Sequence, residues 1–316
     1  MSQRDVAVIA ADGDLVLVVG HEKGRIRISS ALLANASAVF KAIFNHVKFR
    51  DFLRKQQDGG GPIELILDQD GYCSMKQLCR MAHLKHDDLM KVFDAEKLFH
   101  LALHIDKYKC SSSLKLQSAA LLYSWVNSSA VDEARVSQDD RWRIVTASYL
   151  MDCPQAYKTA TQKLITETTG NLRSEYMDDL PVSVGVAIAE RRSSAWQYFC
   201  YELPKLGIPV CKSNCRREAR TQRYMLALHE AFGLLYWPPK FKEGSRPLSY
   251  WIEKTRGLRD IITACDKACQ PERVKESQFQ DLAASVSRRC EGLCLECSKK
   301  EAPNLDKKCT VHATHR

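Results

Sequence analysis

Long apolar runs are missing from this sequence. None approaches the roughly 18–20 apolar residues that a membrane span needs, so no membrane association is expected. A secretory leader is missing too: the apolar run at 6–11 is short, and Asp12 and Asp14 follow at once. These absences lead to the expectation of an intracellular protein, cytoplasmic and/or nuclear. In that setting the 13 cysteines read as thiols or metal ligands, not as a disulfide framework.

Catalytic signatures are also wanting. The "GGGP" at 59–62 lacks the Gly-Lys-Ser/Thr of a phosphate loop, and neither Gly-x-Ser-x-Gly nor His-Glu-x-x-His occurs. His100 and His104 lie four apart, opposite the apolar face of their helix, and read as exposed polar residues. The expectation is a non-enzymatic protein. The formal net charge is +9, yet no run of five or more Lys/Arg occurs. The densest spots, 215–220 and 287–290, read as solvated helix faces, so nucleic-acid binding is not expected. Internal repeats and low-complexity segments are absent.

What is present suits two globular domains. The chain has 316 residues, 45% hydrophobic and 27% charged, enough to bury a core without metals or disulfides. Residues 14–20 are apolar on both faces, as in a buried strand. Residues 25–30 alternate, with Ile26 and Ile28 on one face and Arg25 and Arg27 on the other. The short "HEKG" between them makes a β-hairpin. One helix is expected next, with Leu32, Ala36, Val39, Phe40 and Ile43 on its face and Ser29 or Ser30 as its cap. A third strand follows at 63–68, then helices near 73–84, 96–110 and 114–126. The 96–110 helix sets Leu98, Leu101, Ile105 and Tyr108 on one face. The polar stretch 127–140 predicts a boundary near residue 130. Beyond it everything reads helical: Trp142, Val145 and Tyr149 pack one helix, Pro154 opens and Gly170 closes the next, and Pro181 starts another. Further helices are expected at 218–236, 248–264 and 274–291.

Four segments in order, "GDLVLVVG", "RIRISSALLANASAVFKAIF", "IELILDQDGYCSMKQLCRMAHLK" and "LFHLALHIDKYKC", resemble a BTB/POZ domain. The shared features are a Gly-Asp opening strand, a basic-alternating second strand running into a Ser/Leu-Leu/Val-Phe helix, and an Asp-Lys-Tyr late helix. "DDRWRIVTASYLMDCP" and "GLCLECSKK" further resemble BTB proteins of filamentous fungi. The resemblance implies an α+β fold, with a BTB/POZ domain (a small sheet capped by helices) at 10–130 and an all-α region at 138–316 with a Cys-rich end. It also implies an interaction scaffold that works through its surface. The alternatives are a substrate-recruiting adaptor of a cullin-type ubiquitin ligase and a transcriptional regulator.

Three candidate sites follow. Phe49-Arg50-Asp51 resembles the apolar–any–acid triplet with which such domains engage cullin, with Asp standing where Glu is usual; otherwise Phe49 tucks into its own core. The arm bearing Val6, Val8 and Ile9 either pairs with a partner's sheet edge, making a homodimer, or frays. Nine of the 13 cysteines lie from Cys200 onward. Cys294-x-x-Cys297 has the bite of a zinc knuckle, and Cys265 and Cys269 share a helix face, so the four make a candidate structural zinc site, with Cys211 and Cys215 as alternates. A two-Cys, two-His finger is a poor match, because only two residues separate His312 from His315. Plain buried thiols are the competing reading, and the expected one for Cys73, Cys79, Cys110 and Cys153.

Overall fold

The computed structural model describes residues 6–46, 63–85, 94–127, 136–207, 217–233, 246–263 and 272–300. The chain divides into two compact units. The first holds Met1–Ala160, Tyr176–Leu180 and Cys294–Glu296; the second holds Thr161–Glu175, Pro181–Leu293 and Cys297–Arg316. The fold class is α+β.

The first unit is built on a four-stranded sheet of order β1-β3-β2-β4. β1 (Ala7–Val8) runs parallel to β3 (Gly24–Ile28), which is antiparallel to β2 (Leu15–Val19); β2 is parallel to β4 (Ile63–Leu67). The unbroken apolar run of β2 is buried at every residue, and β3 alternates as its sequence does. The hairpin turn is carried by Gly20 and Lys23, both at positive φ. Gly24 does a different job: a Cβ there would sit 2.3 Å from the Tyr72 ring, so only glycine lets the two pack.

The helix expected over Leu32–Ile43 forms as two, α1 (Ser30–Ala36) and α2 (Ala38–Asn45), parted by Ser37 in an extended conformation. The break changes the buried face: Leu33, Ala36 and Phe40 are buried, while Leu32 is 44% exposed. Its cause is the Ser37 hydroxyl, which makes one bond nearby and one far along the chain. Ser37 Oγ accepts the Phe40 N–H at 3.1 Å, capping α2, and donates to the Tyr108 carbonyl at 2.6 Å. Ser29 makes no side-chain cap; instead the Asp14 carboxylate accepts from the Ser30 N–H at 2.8 Å and from its hydroxyl.

α3 (Tyr72–Ala82), α4 (Ala95–Lys107) and α5 (Lys115–Val126) follow as expected. α4 buries Leu98, Leu101 and Ile105 and starts at Asp94, whose carboxylate accepts the Lys97 N–H at 2.7 Å. α6 (Gln138–Leu150) packs on α4 inside this same unit, with Trp142, Ile144 and Val145 buried. The unit therefore extends past the polar stretch at 127–140. Tyr176 belongs to it as well: its ring lies 4.3 Å under the Arg143 guanidinium and edge-on to Phe99 at 5.3 Å.

α7 (Pro154–Glu167) begins in the first unit and ends in the second. The second unit centres on the long α8 (Val182–Lys205), against which α11 (Glu276–Arg289) packs. α9 (Arg217–Phe232) stops at Gly233, a left-handed residue with φ +67, short of the expected end at residue 236. Trp251 of α10 (Leu248–Arg256) gathers the aromatic core, with Trp196, Phe199 and Phe232 rings between 5.5 and 6.5 Å away.

This region is not wholly helical. β5 (Ile261–Thr263) and β6 (Glu272–Val274) pair antiparallel, where a helix was expected to run on to residue 264. Ile261-Ile262-Thr263 is a β-branched run that favours a strand. Asp260 fixes the junction: its carboxylate accepts the Glu276 N–H at the start of α11 at 2.7 Å and pairs with Arg273 at 3.0 Å. The short α12 (Leu295–Lys299) ends the described chain.

Candidate interaction face and buried polar centres

β1 and β4 are the edges of the sheet, and no further strand pairs with either among the described residues. The register sets Val8, Arg27, Val16 and Glu64 in one row across a face, and Arg25, Val18 and Ile66 in the next. Val8 and Ile66, at opposite edges of that face, are 59% and 62% exposed. Between them an Arg25–Glu64 ion pair spans β2, and Arg27 donates to the Gly13 carbonyl at 2.8 Å. The face is thus a polar strip flanked by branched apolar side chains. Neither edge strand carries the lysine or proline that commonly blunts an edge. Val6 is exposed beside this edge, while Ile9 donates its N–H to the Arg27 carbonyl at 2.9 Å, so the described part of the arm lies along its own chain's β3.

The turn after β4 holds a buried carboxylate. Asp70 follows β4 and accepts from the Tyr108 hydroxyl at 2.6 Å and the Lys107 ammonium at 2.7 Å. Burial, reinforced by this bond, pushes the Tyr108 hydroxyl far above its usual range. His104, expected to be exposed, is not: only 12% of its side chain is open. Its Nδ1 lies 2.9 Å from the His100 carbonyl, and its Nε2 accepts the Gly71 N–H at 3.2 Å. That Nε2 is also 3.4 Å from Asp70, but an atom accepting a backbone N–H has no proton to give, so the ring is neutral. The signal that sequence reading missed is the segment Gln69-Asp70-Gly71, a turn whose polar residues need partners on the packed helix.

The thiols of the core are inert by position. Cys79 and Cys110 are fully buried; burial drives the first thiol far upward and the second to about 11. Cys200 and Cys290 are pushed up to about 12 by the same desolvation. Such groups stay protonated, and only the thiolate is a nucleophile or ligand. Cys153 is buried as expected, whereas Cys73 is exposed, a correction to its expected burial. It stands in the first turn of α3, whose buried side is lined by Met75, Leu78 and Cys79.

Of the zinc candidates, Cys294 and Cys297 are half-buried on either side of the start of α12. Cys265, Cys269, Cys211 and Cys215 lie outside the described residues, as do Phe49 and Asp51, Cys309, His312 and His315. Among the described residues, no group of three or more His, Cys, Asp or Glu gathers as a metal site. None of the described helices is long and apolar enough to cross a membrane.

No protein-family model matches this sequence, and no curated protein matches it significantly.

Proposed function

We propose that the chain is a non-enzymatic interaction scaffold whose first unit is a BTB/POZ-type domain of the filamentous-fungal kind. The observation that carries the reading is the sheet face, with Val8 and Ile66 more than half exposed on its two edge strands. An open edge offers unpaired backbone donors and acceptors to an extended partner segment, and a branched side chain beside it supplies apolar contact. The order of elements supports the reading: a hairpin, a helical segment, a further strand and then more helices accompany a small sheet. The neighbouring polar groups support the same reading, because Asp70, His83 and His104 spend their hydrogen bonds inside the fold. Quantitative co-purification from source cells tests it. Wild-type chain retains a reproducible protein set that the Val8→Lys/Ile66→Lys variant loses; equal recovery by both would refute a role for the edges.

Phe49-Arg50-Asp51 favours a second reading, a cullin adaptor, because it follows soon after α2 ends at Asn45, where the resemblance puts the cullin triplet. Titration with a purified cullin decides it: saturable binding lost in Phe49→Ala/Asp51→Ala supports the adaptor, and no binding by wild type removes it.

The spacing of Cys294 and Cys297, with Cys265 and Cys269 as the second pair, supports a structural zinc as part of the same reading.

A further inference from the structure

Two histidines of the first unit are bound in the same unusual way. His83 follows the last residue of α3; its Nδ1 lies 2.7 Å from the Cys79 carbonyl, and its Nε2 accepts the Ser29 N–H at 2.9 Å. His104 repeats this on α4, with Nδ1 on the His100 carbonyl and Nε2 accepting the Gly71 N–H. In both rings one nitrogen serves the carbonyl four residues back, and the other takes a backbone N–H from a distant segment. Ser29 is the N-cap residue of α1 and Gly71 that of α3. Neither N-cap draws a side-chain capping bond of its own.

We propose that His83 and His104 are a pair of acid-release latches: each holds the N-cap N–H of a helix through an unprotonated Nε2, and protonation there loosens the starts of α1 and α3 while the sheet stays formed. A proton arriving from water occupies the lone pair that the N–H uses, so donor then faces donor and the bond is lost. The positive end of each helix start opposes the new charge as well.

The surroundings of the two rings differ. Around His83 the described charged groups are Lys85, just past α3, which opposes protonation, and Asp14, whose carboxylate holds the next residue, Ser30. His104 faces Asp70, Lys107 and His100. Once protonated, it turns from accepting Gly71 to pairing with Asp70 at 3.4 Å, in competition with Lys107 and Tyr108. Burial lowers the pKa of both rings, so the latches stay closed at neutral pH and open only below the usual imidazole range.

Amide hydrogen exchange by NMR on the full chain, corrected for intrinsic rates, tests this at pH ~7.5 and ~5.5, on either side of the ordinary histidine pKa. Protection of the Ser29 and Gly71 amides falls by about tenfold or more at the lower pH. The Ser30 amide, held by Asp14, and the Leu17 amide inside the sheet keep theirs. In His83→Gln and His104→Gln the side-chain oxygen accepts near the Nε2 position without titrating, so protection at Ser29 and Gly71 becomes independent of pH. Imidazole nitrogen shifts of the wild type give a reading that survives if those variants fail to fold: Nε2 carries no proton at pH ~7.5. A protonated Nε2 at that pH, unchanged protection at pH ~5.5, or an equal loss at Ser29, Ser30 and Leu17 each overturns the proposal.

Discussion

Tyr108 donates its hydroxyl to Asp70 at 2.6 Å while its ring stacks on Phe40, with centroids 4.3 Å apart and planes within 8°. One residue at the end of α4 thereby ties the turn after β4 to α2. The Tyr108 carbonyl adds a third tie by accepting from Ser37.

Tyr108→Phe keeps the stack and removes one donor from a buried carboxylate. A loss of about 1–3 kcal/mol is expected, since an under-satisfied buried acceptor bears its desolvation cost. Chemical denaturation followed by the unfolding of the first unit measures it; an unchanged midpoint would show that Asp70 gains nothing from Tyr108.

Gly24→Ala places a methyl 2.3 Å from the Tyr72 ring, so the ring must shift. The expected cost is about 1–3 kcal/mol, the usual range for overpacking. In Tyr72→Ala the same change becomes nearly neutral, and the double-mutant cycle shows the coupling. Additive costs would place the strain elsewhere.

Stability of the first unit falls on mild acidification. His83 and His104 have folded pKa values below the ordinary value of about 6.5. Above that value both states are neutral and the full stability is present. As pH falls through about 6.5 the unfolded chain takes up protons that the folded rings resist, so stability declines until the folded pKa values are passed. Urea midpoints at pH ~7.5 and ~5.5 report this, and His83→Gln/His104→Gln has the smaller difference.

Purified, reduced protein is expected to carry one zinc per chain by elemental analysis. Cys294→Ser/Cys297→Ser loses it, and chelation lowers the helical signal of the C-terminal region. Metal-free wild type, purified without chelator, would contradict the site.

The parts of the fold legible in the sequence are those where periodicity and burial agree. The apolar run of β2, the alternation of β3 and the face of α4 bearing Leu98, Leu101 and Ile105 all form as read. Reading failed where one polar contact overrides a period. Nothing in "ALLANASAVF" marks Ser37 as a break, because its reason is a carbonyl at Tyr108, distant in sequence. His104 looked exposed because helix spacing does not disclose a turn packed over that face. The β5–β6 pair was hidden because each strand is three residues long, too short to show an alternation. The edge face was half legible: the arm around Val8 was singled out, but the exposure of Ile66 depends on β4 being an edge, which only the sheet order reveals.

Hydrogen exchange of the wild-type chain, alone and in complex with the protein it co-purifies in largest amount, tests the central claim most directly. A scaffold that works through its sheet gains protection at Ala7–Val8 or Ile63–Leu67 in the complex, and Ile66→Lys abolishes both the protection and the complex. Protection confined to the helices of the second unit, with Ile66→Lys binding as wild type does, would contradict it.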